Sequence, residues 1–353
     1  MRRMFLAVPL LIFLGCLHSP IAVEDPVLDM QGFIDVFEGY EEYCPYFAHK
    51  EIDWKELTAL YYPMVSQCET EDEYIEVIIE MLAELQDPAI SLRKYNELGE
   101  LLETVYPYIQ EYDVNYDMNV LVEHYLEPNG WAGWEDGYCE GFGWCDPSLL
   151  PYVFLDTLPS SPNDSSLVFL DSFVAECIEL DVPGVIIDVR MNPCGGGGRH
   201  SCAHQLMGRF TDHSRAVAIY RSRSGPEYDQ YWDDRPAVFP AGSQQYTGTV
   251  FLLVGENCNN NSENLTANFM NFPNVVLVGD TTRGSVSGAF SIATVTENWK
   301  CQVVRETILT NGKHWIEGAG IPPDVFVEAT EVDFAAGVDP VLDLAIEMLE
   351  EIR

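Results

Sequence analysis

The stretch from residue 248 to residue 288 constrains the fold most strongly. An apolar, β-branched run at residues 250–254 has the length of a buried strand and ends in a polar turn. A helical segment with asparagine and serine capping chemistry at residues 259–262 follows, and a second apolar run occupies residues 275–278. This order predicts a parallel crossover unit. Because chemistry in open α/β sheets lies at the carboxyl ends of the strands, we expect functional residues at the turn before the helix.

The composition of the chain limits the classes of molecule that it is expected to bind. The 353 residues suffice for one large domain, or for a domain with a helical subdomain. With 57 acidic residues against 18 basic ones, the formal net charge is -39. Nucleic-acid binding needs a basic surface, so this charge excludes nucleic acid as a partner. The acidic residues instead indicate a surface adapted to solubility or to high salt.

The first 22 residues have the pattern of an export signal. Arg2 and Arg3 form its positive end, and residues 4–14 are an apolar run too short to span a membrane as a mature helix. The sequence before Cys16 is similar to a lipoprotein cleavage site, and cleavage after Ala22 is the alternative. We therefore expect an exported protein, which would be periplasmic, extracellular or a cell-surface lipoprotein attached to the membrane through a lipidated Cys16.

The ten cysteines of an exported chain predict disulfide bonds. Cys139 and Cys145 flank a turn that contains glycine and tryptophan, and they form the most local candidate pair. The pairing of the other cysteines does not follow from their spacing.

The chain divides into three parts after the signal. Residues 25–95 carry apolar residues at helical spacing and two helix-capping patterns, which predict an N-terminal helical subdomain. Residues 96–148 form an acidic, aromatic connection that we interpret as a helix followed by a long loop. In residues 149–353 strand and helix patterns alternate, and this part predicts an α/β fold. A capped helix, with Asp339 before Pro340, closes the chain.

A glycine run and a histidine pair follow the buried strand at residues 185–189. The glycines at residues 195–198 permit a close backbone approach and an anion nest that could serve as an oxyanion site, and the alternative is a tight strand-to-helix turn. His200 and His204 are four residues apart, but no third ligand follows at a recognisable spacing. We therefore predict no metal ion and no cofactor.

Four segments together resemble a known family. They are residues 186–192 with their glycines, Ser262 and Glu263 with residues 276–284, residues 317–324, and residues 85–87. They resemble the tail-specific, or C-terminal processing, serine peptidases, and most closely the branch with the tricorn core and interphotoreceptor retinoid-binding protein. The resemblance implies a mixed β-sheet core of crotonase-like ββα units beside a helical N-terminal subdomain. It also implies cleavage of peptides through a serine acyl-enzyme.

The resemblance, carried over residue by residue, changes the expected chemistry. The nucleophile position falls on Asn260, and the histidine position of the tricorn branch falls on Ala89. The lysine base of the bacterial processing branch would fall on Ser285. Glu317 resembles the tricorn-branch glutamate. The oxyanion frame would come from Gly195 or Gly196 together with the N–H of Asn261.

Three hypotheses about function follow. In the first, the chain is a non-catalytic relative that binds a peptide or protein chain end, or a small apolar ligand, in a retained cleft. In the second, it is an active serine-type peptidase with a displaced nucleophile; Ser262 is the nearest hydroxyl, and its position favours a helix cap. Ser285 and Ser287 follow a strand, and the sequence predicts no base beside either. In the third, the protein is an exported structural or interaction protein.

Overall fold

The chain folds around a parallel β-sheet to which shorter sheets and helices are added. The computed structural model describes residues 30–109, 115–133, 143–155, 165–191, 207–242, 244–288 and 290–353. The helices are α1 (Met30–Tyr43), α2 (Trp54–Val65), α3 (Glu71–Ala83), α4 (Met118–Val120), α5 (Ser165–Glu179), α6 (Asn261–Phe269), α7 (Glu331–Ala335) and α8 (Pro340–Glu351). The strands are β1 (Leu92–Tyr95), β2 (Leu101–Val105), β3 (Ala132–Gly133), β4 (Gly143–Trp144), β5 (Tyr152–Phe154), β6 (Gly184–Asp188), β7 (Arg215–Arg221), β8 (Arg235–Phe239), β9 (Thr249–Val254), β10 (Val275–Gly279), β11 (Ser291–Thr294), β12 (Trp299–Val303), β13 (Thr307–Leu309) and β14 (Val325–Phe326).

The central sheet has the order β14-β10-β9-β6-β5-β4-β3. Its strands from β14 to β5 are parallel, and the β5–β4 and β4–β3 pairs are antiparallel. The crossover from β9 through α6 to β10 confirms the unit predicted from the sequence, with Leu252 paired to Leu277 and Leu253 to Val278. The α/β fold with a mixed sheet is therefore confirmed.

Both faces of the central sheet are buried, which explains the continuous apolar runs of its strands. Side chains of one face, such as Ile187 and Leu252, pack in a core with α5 and α6. Side chains of the opposite face, such as Ile186 and Phe251, pack against α8. The carboxyl ends of β6 and β9 are thereby held between two hydrophobic layers.

The three N-terminal helices pack on a second sheet with the antiparallel order β11-β12-β1-β2. The predicted caps are present, since the Asp53 and Thr70 side chains accept hydrogen bonds from the N–H groups of Glu56 and Glu73. A third antiparallel sheet has the order β13-β7-β8. Strand β1 pairs with β12, so the helical subdomain shares a sheet with the C-terminal half of the chain.

The connection between residues 96 and 148 differs from its prediction as a helix followed by a loop. It begins with β2, which forms a hairpin with β1, and α4 comes later and continues as a π-helical turn, Leu121–Leu126. The exposed leucines of β2, Leu101 and Leu102, give this strand no alternation of buried and exposed residues. That absence is why the sequence did not indicate a strand.

Two other sequence predictions concern the membrane and disulfides. In the part of the chain that the structure describes, no helix has the length and apolar character needed to cross a membrane. Residues 1–22, with Cys16, lie outside that part. The predicted bond between Cys139 and Cys145 is wrong for Cys145, whose buried thiol is free and donates to the Leu126 carbonyl at 3.8 Å. Cys139 lies outside the described residues.

A buried arginine joins the central sheet to the last helix. Arg190 follows β6, and its guanidinium donates to the Asp188 carboxylate at 2.7 Å and to the Asp339 carboxylate at 2.8 Å. Asp339 also caps α8 by accepting from the Leu342 N–H, and Tyr152 donates to Asp188. The two neighbouring carboxylates raise the pKa of Arg190, although burial opposes its charge. The guanidinium therefore connects strand and helix through charge-assisted hydrogen bonds.

Replacing this arginine tests its structural role. We expect Arg190→Met to lower the free energy of unfolding by about 3–5 kcal/mol, because it leaves two buried carboxylates without a counter-charge. Denaturant unfolding of the purified variant measures the loss. Arg215→Met is the matched control, since Arg215 pairs with the exposed Asp212 and should cost less than about 1 kcal/mol. Equal losses for the two variants would contradict this role.

Candidate functional site

The turn between β9 and α6 holds Asn260 in an unusual backbone conformation. Its φ is 47° and its ψ is -98°, outside the regions that residues other than glycine normally occupy. Asn260 is the N-cap of α6, but its side chain makes no capping hydrogen bond. The side-chain Nδ2 instead donates to the Ser287 carbonyl at 2.9 Å, and the main-chain N–H donates to the Ser285 carbonyl at 2.7 Å. The strained turn is thus fixed to the segment that follows β10.

Glu263, in the first turn of α6, also binds the segment that follows β10. Its buried carboxylate accepts from the N–H groups of Gly284 and Ser285 at 2.6 and 2.7 Å, and from the Thr282 hydroxyl at 2.5 Å. Burial raises the pKa of Glu263 to about 7, against these three hydrogen bonds, which lower it. The residue matches the family glutamate of the nucleophile helix, and here its contacts are structural.

A second loop, which begins at Glu317, packs on residues 282–284. The Gly318 N–H donates to the Gly284 carbonyl at 2.7 Å, and the Ile321 N–H donates to the Thr282 hydroxyl at 2.8 Å. Gly320 has a φ of 72°, and a Cβ there would lie 2.1 Å from the Thr282 carbonyl oxygen. Only glycine fits this close approach, which gives a physical reason for the glycine after Ala319.

Glu317 is fully buried and both of its carboxylate oxygens are occupied. Oε1 accepts from the Lys50 ammonium at 2.8 Å. Oε2 accepts from the Val286 N–H at 3.0 Å and from the Ser287 hydroxyl at 3.1 Å. The Lys50 ammonium also donates to the carbonyls of Leu85 and Gln86, both at 3.0 Å, so its position is fixed.

A second buried carboxylate, Asp87, lies near this ion pair. Asp87 accepts from the Tyr46 hydroxyl and from the Ala89 N–H, both at 2.9 Å. Glu317 is the carboxylate that pairs with the Lys50 ammonium, and the charge of Asp87 acts on both members of this pair. Burial, followed by the neighbouring Asp87, raises the pKa of Glu317 to about 7. Burial opposes the charge of Lys50, but the Glu317 and Asp87 carboxylates raise its pKa.

His49 lies beside this cluster, where it contacts Glu317 and Trp315. Its Nε2 is 3.0 Å from the Glu317 carbonyl oxygen, and its ring stacks on Trp315 with centroids 4.4 Å apart. Burial lowers the pKa of His49, so its neutral form is favoured. A proton on Nε2 satisfies the contact with the carbonyl, which leaves that nitrogen unable to accept a proton.

The structure links two of the predicted site residues, because Asn260 contacts Ser287 and Ser287 contacts Glu317. Ala89 donates its N–H to Asp87, whose charge acts on Glu317 without an ion pair or hydrogen bond between them. Because Asn261 opens α6, its N–H belongs to the first helical turn, whose N–H groups have no acceptor within the helix. Gly195, Gly196, His200 and His204 lie outside the described residues.

The three serines considered as alternative nucleophiles are all buried. Ser262 was expected to cap the helix, but it lies one residue inside α6; its hydroxyl is buried and donates to the Asn259 carbonyl at 3.0 Å. The expectation that no base lies beside Ser287 is wrong, because Glu317 contacts its hydroxyl. Ser287 is nevertheless 1% exposed, so its hydroxyl does not reach the surface. The Ser285 side chain is also buried.

Sequence reasoning did not find Lys50. It stands in none of the four motifs, and it meets Glu317 across 267 residues of chain. The one available signal was its rarity, since the chain has five lysines. In the described part of the chain, no group of three or more histidine, cysteine, aspartate or glutamate residues is arranged to hold a metal ion.

Comparison with known proteins identifies the family. The model of peptidase family S41 matches residues 160–327, and the model of the tricorn protease C1 domain matches residues 30–83. The two matches contain Asn260 and the three N-terminal helices, respectively. The chain therefore belongs to peptidase family S41, a family of serine-type peptidases, as the resemblance predicted. No curated protein sequence matches the chain.

Solved structures agree with this fold. A candidate peptidase from Parabacteroides merdae is 20% identical, with a TM-score of 0.73 over 90% of this chain and 95% of its own. Mature CPAF in complex with lactacystin is 11% identical, with a TM-score of 0.62 over 92% and 98%. The photosystem II D1 C-terminal processing protease is 13% identical, with a TM-score of 0.50 over 85% and 93%. At these identities the similarity shows the fold alone.

The role of Lys50 is testable through stability. Its side chain is 12% exposed, and Lys50→Met leaves Glu317 and Asp87 buried without a cation. We expect a loss of about 3 kcal/mol or more in the free energy of unfolding at pH 8. Lys55→Met is the control, because Lys55 pairs with Glu41 at the same 2.8 Å but is 62% exposed, and it should cost less than about 1 kcal/mol. Denaturant unfolding that gives similar losses for both would contradict the role.

The raised pKa of Glu317 predicts a pH dependence of stability. Between about pH 4.5 and pH 7 the folded protein retains a proton on Glu317 that the unfolded chain releases. The free energy of unfolding should therefore decrease as the pH rises through this window. Unfolding measured at pH 5, 6 and 7 should show a shallower decrease for Glu317→Gln, and the wild-type decrease for Glu347→Gln on the exposed side of α8. A wild-type slope in Glu317→Gln would overturn the assignment.

Proposed function

We propose that this member of peptidase family S41 is non-catalytic and binds a peptide chain, without cleaving it, at the turn that carries Asn260. The observation that carries the proposal is Asn260 itself. It has the strained backbone of a residue held at a helix N-cap, and it stands where the family resemblance puts the serine. A carboxamide nitrogen shares its lone pair with the carbonyl, so it does not attack a peptide bond as a serine hydroxyl does.

The absence of a base at the matching position supports the same conclusion. Ala89, at the histidine position, has no group that takes up a proton. The oxygens of the buried Glu317 are already bound by Lys50, Val286 and Ser287. His49 uses Nε2 against the Glu317 carbonyl and stacks on Trp315. A catalytic base must reach the nucleophile's proton, and the groups that these contacts engage at the Asn260 turn are both oxygens of Glu317 and the Nε2 of His49.

Retention of the turn favours binding over a vestigial site. A backbone conformation such as that of Asn260 typically costs about 1–3 kcal/mol, and the surrounding hydrogen bonds must hold it in place. Here two hydrogen bonds from Asn260 and three to Glu263 do so. The first-turn N–H of Asn261 supplies a donor for a peptide carbonyl, the same group that would otherwise stabilise an oxyanion.

The alternative hypothesis is an active peptidase that uses another serine as its nucleophile. Ser262 is buried and its hydroxyl is engaged with Asn259. Ser287 is the stronger candidate nucleophile, because its hydroxyl contacts the Glu317 carboxylate. The pKa of Glu317 is raised to about 7, which lies in the range of a general base. Its burial opposes this role, because a substrate carbonyl would have to reach a hydroxyl that is 1% exposed.

Two assays distinguish the non-catalytic protein from an active peptidase. They are reaction with a serine-directed fluorophosphonate probe and hydrolysis of fluorescein-labelled casein. We expect the wild type neither to react nor to hydrolyse casein, while casein peptides still bind in calorimetry. Asn260→Ser should become reactive, and adding Ala89→His should increase its rate, because a nucleophile and a base act as a unit. Asn259→Ser, one residue earlier, is the matched control and should stay inert. Wild-type labelling that Ser287→Ala or Ser262→Ala abolishes would establish an active enzyme instead.

A further inference from the structure

A cavity lined by Arg223, Arg235 and Arg305, here called the arginine pocket, lies apart from the cluster around Asn260. It has a volume of about 600 Å³, within the range of about 300–1,000 Å³ common for ligand sites. The chain has 18 basic residues in 353 and a net charge of -39, yet three arginines line this one cavity. Such a local concentration of positive charge in an acidic protein calls for a specific explanation.

Arg223 contributes a buried positive charge. It is 6% exposed, and its guanidinium donates to the main-chain carbonyls of Glu41 at 2.7 Å and Gly225 at 3.1 Å. It also lies over the Tyr228 ring, 4.9 Å from the centroid. Among the described residues no carboxylate forms an ion pair with it. Buried charges in proteins are normally paired, so Arg223 favours an anion in the adjoining cavity.

Arg305 contributes a positive charge that is oriented and accessible. It is exposed, and its guanidinium lies 4.1 Å from the centre of the Tyr43 ring. No ion pair involves it in the part of the chain that the structure describes. A guanidinium over an aromatic ring still has N–H donors for other partners, and its planar fork matches both oxygens of a carboxylate. Arg305 is therefore arranged to bind an anion from the cavity.

The charges of the pocket favour a carboxylate over a phosphate. Arg235 is already paired with Glu306, which shows that a carboxylate suits this position, and Asp233 also lines the cavity. Three positive charges thus face two negative ones, which leaves a single positive charge in excess. One carboxylate neutralises that excess, whereas a phosphate dianion would be repelled by Glu306 and Asp233.

Trp232 indicates what the carboxylate is attached to. Its side chain is 64% exposed and forms part of the wall of the pocket, where it offers a flat apolar surface beside the arginines. We propose that the arginine pocket binds a peptide through a carboxylate, with a neighbouring apolar side chain against Trp232. The pocket contains none of the residues around Asn260, so this binding stands whether or not the protein cleaves peptides.

Calorimetry with three acetylated pentapeptides tests the proposal. The peptides are Ala-Ala-Ala-Phe-Ala as the free acid, the same sequence as its carboxyl-terminal amide, and the amide with glutamate at the third position. We expect at least one peptide with a carboxylate to bind about tenfold more tightly than the neutral amide, with an affinity that falls as salt is added. The carboxylate-bearing peptide that binds more tightly shows whether the pocket recognises the carboxylate of a chain end or that of an acidic side chain.

Variants locate the binding. Arg305→Gln should weaken binding of the acidic peptide about tenfold, and Arg305→Lys should weaken it less, because charge is kept and the planar fork is lost. Arg215→Gln, an arginine outside the pocket, is the control and should change nothing. Equal affinity for the neutral amide, no binding of either acid, tighter binding of inorganic phosphate, or undiminished binding in Arg305→Gln would overturn the proposal.

Discussion

The buried guanidinium of Arg190 is the interaction on which the geometry of the sheet end depends. Asp188 ends one central strand, Asp339 begins the last helix, and Arg190 binds both carboxylates within the core. Since β6 pairs along its length with β9, this connection also fixes the strand that leads to Asn260. Asp188 and Arg190, which belong to one of the four segments that resemble the family, therefore stabilise the end of the sheet. The candidate site is formed by other residues.

The site itself depends on the ion pair between Lys50 and Glu317, both of which feel the charge of the buried Asp87. Lys50 comes from the helical subdomain, and Glu317 comes from the C-terminal half of the chain, so their contact joins the two parts beneath the strained turn. Removing the charge from either side leaves the other group largely buried without its ion-pair partner. The same pair keeps Glu317 bound, which separates the carboxylate from any proton transfer at Asn260.

More of the fold than of the site could be predicted from the sequence. The strands of the central sheet are apolar on both faces, and the capping residues Asp53 and Thr70 mark two helices, so local patterns were sufficient there. The β2 strand lacked such a pattern because its leucines are exposed. Lys50 itself, and the contact of Ser287 with Glu317, were missed for a different reason. Their importance comes from contacts with Glu317 that span 267 and 30 residues, and no local rule encodes contacts of that kind.

The buried free thiols have a consequence for redox behaviour. Burial raises the pKa of Cys145, Cys177, Cys258 and Cys301 to about 12, against an ordinary value of 9.0. A shift of this size lowers the thiolate fraction at neutral pH on the order of a thousandfold. Because the thiolate is the form that attacks a disulfide, these cysteines exchange slowly once the chain has folded. In an oxidising compartment, folding before oxidation would thus preserve the unpaired thiols by kinetics alone.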